Sequence, residues 1–382
     1  MRESAVQRHD RLLTLVREQG TARVTDLAAR LGVSPVTVRR DVETLTRKGL
    51  VDRAHGSVSW PRPRTAGAAA GVGTAPVLGL LAPSATYYFA DVIHGAHEAA
   101  ARAGARLILR ISDYRPEEDR ARAEGLLAAG AEGLLIAPGW RGRGDQAEHG
   151  DWIGELPAPA VLLERSVDPG SPLAGLDRVC SDHAHGVLLA LRHLVGQGHT
   201  APLLVARADS PTALAVRAGY DQALSALGLE WPHPVIEAPA DRDPAGFERG
   251  VQALWTAVTS GRATAALVHN DVDAIQLVQR LTELGVRVPG DLAVVAYDDE
   301  VAALADTPLT AVAPPKREVG QLAAELLLER WGRSVHGRPA DRAADGAEPA
   351  ARRHLALLPR LRVRASCGAG APEPLEGSRT QG

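Results

Sequence analysis

Ser34 to Lys48 reads Ser-Pro-Val-Thr-Val-Arg-Arg-Asp-Val-Glu-Thr-Leu-Thr-Arg-Lys, and its spacing predicts a single helix with a defined start and stop. Ser34 offers an N-cap oxygen to the orphan N–H groups of the first turn, and Pro35 takes the first helical position, where no N–H is needed. Gly49 follows the last turn, with Arg47 and Lys48 at the negative end of the helix dipole. Val38, Val42 and Leu45 recur at helical spacing as one apolar stripe. At about 100° per residue, Val36, Arg40 and Arg47 point away from that stripe, and Thr37 and Arg39 flank it. A helix with one dry face and an outer face of Thr, Val and Arg suits a DNA major groove. A basic face on an ordinary surface helix is simply solvated, so the flanking sequence decides.

Residues 5–19 read as a first helix, with Val6, Leu12, Leu13 and Val16 as its apolar stripe and Gly20 as its end. Ala22 to Val24 follows as a short extended piece. Thr25 is expected to cap a second helix carrying Leu27, Ala28 and Leu31, and Gly32 and Val33 turn into the Ser34 helix. This is the order of a helix-turn-helix. Beyond Gly49, Leu50, Val51 and Val58 flank Gly56 and predict a two-stranded wing, from which Arg53 and His55 would reach phosphates or a minor groove.

Charge supports a division of labour. Residues 1–64 hold 13 Arg and Lys against 7 Asp and Glu, a net of +6; with the whole chain at −3, the remainder carries −9. A basic head on an acidic body implies an anionic partner for the head alone.

The motifs Leu31-Gly32-Val33-Ser34, Thr37-Val38-Arg39-Arg40-Asp41, Gly49-Leu50 and Arg53-Ala54-His55-Gly56 resemble the DeoR-type winged helix of bacterial repressors. Ser57 stands where that family usually has a second Gly. The resemblance implies DNA binding through Ser34, Val36, Thr37, Arg39, Arg40, Arg53 and His55. Val36, Thr37 and Arg40 would touch base edges, and the others would mainly hold phosphates.

Residues 60–75 are rich in Pro, Ala, Gly and Arg and read as a flexible linker. From Pro76 onward, short apolar runs alternate with helical patterns. Runs at 77–82, 106–111, 133–137, 160–163, 202–205, 265–268 and 292–296 are interleaved with helices near 90–103, 116–129, 186–195 and 214–226. That alternation predicts α/β architecture with doubly wound parallel sheets, and about 290 residues call for more than one sheet. Ligands of such folds bind at the carboxyl ends of strands, often between two lobes.

A second resemblance covers residues 76–368. Gly198-His199, Arg217-Ala218-Gly219-Tyr220, His269-Asn270-Asp271, Val294 to Asp299, Pro308 to Val312 and Leu358 to Ser366 are similar to the LacI/GalR-type sensor, a two-lobed, periplasmic-binding-protein-like domain. It implies a small sugar-like effector and closure of the lobes around it. The candidate ligand residues are Tyr87, Tyr88 and Phe89 after the first strand, with Arg165, Arg217, Asn270 and Asp298. Aromatic faces stack on sugars, Arg217 can fork onto two oxygens, and Asn270 and Asp298 follow apolar runs. Core packing, an exposed helix arginine, loop capping, and an Arg165–Glu164 pair are the competing uses of these side chains. Pro314 occupies a position where the family commonly has Gln. This removes one ligand hydrogen bond and implies an effector other than the better-known sugars. Residues 141–157 and 338–352 read as polar insertions, and 369–382 as a disordered tail.

Cys180 and Cys367 are far apart with no CxxC spacing, so neither zinc nor a redox motif is expected, and free thiols suit a reducing cytoplasm. The first residues carry no apolar leader, and no run approaches a membrane span. GxSxG, P-loop and HExxH motifs are absent, which argues against an enzyme; no metal or other cofactor is called for. His183 and His185 lack an evident third ligand. The sequence therefore reads as a cytoplasmic, DNA-binding repressor of a carbohydrate-use operon, a homodimer or tetramer on double-stranded operator DNA. The domains would be 1–59 for the winged helix, 60–75 for the linker, 76–368 for the sensor and 369–382 for the tail. A sugar-binding protein serving a transporter is the alternative from another class, and a sugar-modifying enzyme is the third.

Overall fold

The computed structural model describes residues 5–19, 21–47, 51–54, 57–59, 75–229, 235–239, 243–336 and 351–368. The head contains α1 (Ala5–Gln19), β1 (Thr21–Arg23), α2 (Val24–Leu31), α3 (Pro35–Arg47), β2 (Asp52–Ala54) and β3 (Ser57–Ser59). The strands form an antiparallel sheet in the order β1-β3-β2, with Ala22 opposite Val58 and Arg53 opposite Val58 on the other side. The predicted stripes converge: Leu12, Leu13, Val16, Leu27, Leu31, Val38, Val42, Leu45, Val51 and Val58 are all buried.

One boundary differs from expectation. α2 begins at Val24 rather than after Thr25, and Arg23 occupies the N-cap without a side-chain cap. Val24 is buried with Leu27, Ala28 and Leu31, so the i, i+3, i+4, i+7 stripe draws Val24 into the helix. The Thr25 hydroxyl instead donates to Asp26 Oδ1 at 3.3 Å. Gly32 ends α2 at φ +69°, the left-handed conformation that glycine adopts without a Cβ penalty. Gly20, Lys48 to Leu50, His55 and Gly56 lie outside the described residues, as do the expected linker from 60 to 74 and the expected tail.

The rest of the chain alternates as expected: β4 (Val77–Ala82), α4 (Tyr88–Arg102), β5 (Arg106–Ile111), α5 (Pro116–Ala128), β6 (Gly133–Ile136), α6 (Arg143–His149), β7 (Ala160–Leu163) and β8 (Asp177–Ser181). α7 (His183–Gly196), β9 (Pro202–Ala206), α8 (Pro211–Leu227), α9 (Pro244–Thr259), β10 (Ala265–His269), α10 (Asp271–Glu283), β11 (Ala293–Tyr297) and β12 (Thr310–Ala313) follow. α11 (Lys316–His336), β13 (His354–Leu357) and β14 (Arg360–Arg362) close the sequence of elements.

Two compact units result. The first takes Met1–Cys180 and Lys316–Ala356, and the second takes Ser181–Pro315 and Leu357–Gly382. The first has a sheet in the order β13-β8-β7-β6-β4-β5, parallel from β8 through β5. The second has the order β14-β12-β11-β10-β9, parallel except for antiparallel β14.

In the second unit the period of two is plain. Leu203, Val205, Ala266, Val268, Val294 and Ala296 face one core with Phe247, Leu254, Leu277 and Leu281 of α9 and α10. Leu204, Ala206, Ala265, Leu267, Ala293, Val295 and Tyr297 face the other, with Leu191, Leu194, Val216 and Tyr220 of α7 and α8. Strands buried on both faces are the mark of a doubly wound parallel sheet.

In the first unit, residues 141–157 are not a polar insertion. Trp152 and Ile153 are buried against Trp140, Leu162 and Leu173, and the Trp152 indole donates to His149 O at 2.8 Å. The surrounding Asp, Glu and Gly residues hid two docking side chains. Residues 338–350 of the second expected insertion lie outside the described residues. Arg352, just after them, belongs to an ionic clamp. Asp177, fully buried at the start of β8, accepts from Arg330 Nε and Nη2, both at 2.8 Å, from Arg352 Nη1 at 3.1 Å and from the Arg353 amide at 2.7 Å. Burial raises the Asp177 pKa, but these donors outweigh it and hold the carboxyl below its ordinary value.

Candidate functional site

On α3 the expected cap is in place. The Thr37 amide donates to Ser34 Oγ at 3.2 Å, and the two hydroxyls are 2.9 Å apart. Ser34, Arg39 and Arg40 are exposed and Thr37 is half-buried. Val36 lies in the first turn of α3 and Arg53 in β2, both by backbone position; His55 lies outside the described residues. α3 is anchored by a residue that was quoted above only as part of a motif. Asp41 is buried and accepts Arg8 Nε at 2.6 Å and Arg8 Nη2 at 3.0 Å, with His9 Nε2 also at 3.0 Å. Burial raises the pKa of Asp41, yet the Arg8 and His9 bonds prevail and lower it overall. α1 is thereby fixed to the inner side of the helix that carries Arg39 and Arg40.

In the first unit, polar groups gather at the carboxyl ends of β4, β6 and β7. Tyr87 sits at the N-cap of α4 with φ +51°. Tyr88 and Phe89 are not loop residues, as their position after the strand implied, but buried residues of the first turn of α4. The Tyr88 hydroxyl donates to Glu164 Oε1 at 2.9 Å, and the Lys316 ammonium lies 5.3 Å from the Tyr88 ring centre. Arg165 is 4% exposed and largely spent on the fold. Its Nε donates to Pro138 O at 2.8 Å, Nη2 donates to the same oxygen, and Nη1 donates to Glu164 O at 2.8 Å. Its guanidinium also sits 5.8 Å from the centre of the Phe89 ring. The neighbour of Arg165 is thus the backbone of Glu164 rather than its carboxylate. Asp119 accepts the Gly139 amide at 2.7 Å, and burial raises its pKa despite that bond. Cys180 Sγ donates to Arg165 O at 3.3 Å; burial, and then Glu164, push the thiol up to about 12, far from a reactive thiolate.

In the second unit the corresponding ends of β9, β10 and β11 carry a denser set. Arg217 braces β9: Nε donates to Arg207 O at 2.8 Å, and Nη2 donates to Ala206 O at 2.6 Å and to Glu237 Oε1 at 2.8 Å. Asn270 caps α10, its Oδ1 accepting the Asp273 amide at 3.0 Å. Asp298 is 3% exposed at φ +89°, directly beyond β11, and its amide donates to Val312 O at 3.0 Å. His269 Nε2 lies 3.9 Å from Asp298 Oδ2. Arg207 reaches Asp209 at 3.0 Å and Asp273 at 3.3 Å. Lys316, Arg207, Asp209 and Asp273 were not singled out from the sequence, and Glu164 and His269 were named only as a pairing partner of Arg165 and as part of a motif. For Glu164, Arg207 and His269 the available signal was a polar residue directly at the end of an apolar run.

A helix-turn-helix head with exposed arginines on its third helix and a pair of doubly wound sheets with polar strand ends set the terms for comparison. Residues 8–64 match the DeoR-like helix-turn-helix domain, and residues 191–367 match the periplasmic binding protein-like domain. The chain joins a DeoR-like head to a periplasmic-binding-protein-like sensor. The HTH-type transcriptional repressor PurR of Aliivibrio fischeri is 28% identical over 262 residues, 68% of this chain and 75% of the relative. The ribose operon repressor of Haemophilus influenzae is 28% identical over 247 residues, 64% of this chain and 70% of the relative. Among solved structures, a LacI-family transcriptional regulator from Enterococcus faecium with bound ribose aligns at a TM-score of 0.55 and 23% identity, covering 76% of this chain and 98% of that one. The lac repressor dimer bound to operator aligns at a TM-score of 0.58 and 24% identity, covering 78% of this chain and 95% of that one. At these identities the structural likeness establishes the fold. Among the described residues, no helix is long and apolar enough to cross a membrane.

Proposed function

We propose that this chain is a ligand-responsive, DNA-binding transcription regulator, a repressor that a small effector releases from its operator. The observation that carries the reading is α3: a capped helix, dry on the Val38-Val42-Leu45 side and held there by Asp41, that leaves Arg39 and Arg40 exposed. Arg40, Thr37 and Val36 would read base edges, and Ser34, Arg39, Arg53 and His55 would hold phosphates. The curated relatives described above are repressors, which supports the same reading and argues against an enzyme or a transporter's binding protein. Residues 1–59 would act as the DNA-binding domain, 60–75 as linker, 76–368 as sensor and 369–382 as tail. The same reading takes the protein as a cytoplasmic homodimer on a two-fold operator, which the half-site geometry of such heads supports.

For the effector we propose a neutral, sugar-like molecule. In the second unit, Asn270 and Asp298 offer hydroxyl acceptors at strand ends while Arg217 holds the neighbouring backbone; in the first unit, taken by itself, Tyr88 and Phe89 offer aromatic faces beside Arg165. Pro314, buried after β12, offers no side-chain donor where the LacI/GalR-type resemblance implies Gln, which supports an effector other than the better-known sugars. A gel shift on DNA upstream of the protein's own gene, at moderate salt and with a panel of sugars, tests the proposal. A specific shift released by one sugar is expected; failure to shift at any protein concentration would overturn it.

A further inference from the structure

Behind Asp298 lies a layer of side chains that effector recognition does not use. Tyr297 ends β11 and is fully buried. Its hydroxyl is 3.1 Å from His183 Nδ1 and donates to His183 O at 3.3 Å. The His183 and Tyr297 rings are 5.8 Å apart, and the His269 ring is 5.9 Å from Tyr297 on the neighbouring strand. His269 is 4% exposed, and neither of its ring nitrogens makes a hydrogen bond. Burial, then His183 and Arg207, push its pKa down to about 3, so the imidazole is neutral throughout the physiological range. α7 is pressed directly onto this layer: a Cβ at Gly186 would come within 2.5 Å of the Tyr297 hydroxyl oxygen. Only glycine permits that approach.

The first turn of α7 is also where the chain enters the second unit. Of the three crossings between the units, the two that run from the first into the second lie between Cys180 and Ser181 and between Ala356 and Leu357; the return lies between Pro315 and Lys316. Asp182 caps α7 by accepting the His185 amide at 2.9 Å, and its own amide donates to Leu357 O at 2.8 Å. One cap therefore ties both crossing segments to the helix that Tyr297 touches.

We propose that Tyr297 and His183 couple the state of Asp298 to the first turn of α7 and to the two crossing segments. The inference rests on the effector reading of Asp298 given above. Asp298 follows Tyr297 directly in the chain, so a change in the backbone of one displaces the other. Close-packed interiors pass such a displacement on rather than absorbing it. Tyr297 and His183 are positioning residues; neither touches the effector.

The test is a double-mutant cycle read by amide hydrogen exchange on the full chain without any effector. Asp298→Asn is expected to change exchange at the Asp182, His185 and Gly186 amides several-fold. In a Tyr297→Phe background, which keeps the ring and removes the hydroxyl, the same substitution should change them less than twofold. His183→Ala should uncouple in the same way and guards against a special effect of the phenylalanine. A merely stabilising hydrogen bond would speed exchange across the second unit while leaving the response to Asp298→Asn intact. An equal response in all backgrounds, or none in any, would overturn the proposal. Failure of the effector reading looks different. Asp298→Ala would then release operator normally in the sugar gel shift, whatever the exchange cycle shows.

Discussion

The outer face of α3 and the strand ends of the two sheets use charged residues in opposite ways. On α3 the arginines proposed to function, Arg39 and Arg40, are those the fold leaves exposed, while the buried charge, Asp41, is taken up by Arg8 and His9. At the strand ends the arginines named from sequence, Arg165 and Arg217, are bound to backbone carbonyls of their own unit. A charge on a short surface helix is therefore a direct guide to a partner. A charge at the end of a buried strand is as often a brace for the loops that will meet a ligand, because the last carbonyls of parallel strands need donors.

Substitutions can break or sharpen that contrast. The largest effect on stability is expected from Arg165→Ala. It strips a buried donor from Pro138 O and Glu164 O and should cost about 1–3 kcal/mol for each carbonyl left unsatisfied, read as a lower urea midpoint. Unchanged stability with altered sugar response would make Arg165 a ligand group after all and remove half of the contrast. Asp41→Asn should be milder, at about 1–3 kcal/mol, because the amide still offers one acceptor to Arg8.

The pH dependence of Asp41 has a definite sign. Its folded pKa lies below the ordinary 3.8, so its contribution is fully present above that value and fades as the pH falls through the folded pKa. Acid unfolding of the head, followed by exchange of α1 and α3 amides, should therefore begin at higher pH in a variant lacking Arg8. Ser34→Ala removes the N-cap and should cost about 1 kcal/mol. If it weakens DNA binding far beyond that loss, Ser34 holds a phosphate as well.

The legible parts of the sequence were local. Ser34, Pro35 and the Val38-Val42-Leu45 stripe define α3 within a dozen residues, and runs such as 106–111 and 160–163 coincide with β5 and β7. What escaped depended on distance along the chain. Asp41 meets partners 33 and 32 residues away, and Asp177 meets Arg330 153 residues away; no periodicity encodes such pairings. Trp152 and Ile153 were hidden among polar neighbours, although both are buried in a single short turn. Tyr88 and Phe89 were read as preceding the helix, because the start of α4 carries no Ser, Thr, Asp or Asn cap; Tyr87 takes that position with φ +51°. His269 stood in the motif His269-Asn270-Asp271, but nothing in its spacing indicated that its ring lies beside Tyr297.

The smallest effect on stability and the most informative on function belongs to Arg40→Ala. An exposed helix arginine contributes within about 0.5 kcal/mol to folding, whereas loss of a base contact costs about 1–3 kcal/mol of operator binding. Titrating the wild type and Arg40→Ala against the same operator, beside their unfolding curves, puts both numbers in one experiment. The account predicts superimposable unfolding curves, a five- to 150-fold weaker operator complex and relaxed sequence preference. Equal operator affinity for the two proteins would contradict it, and α3 would no longer be the element that reads DNA.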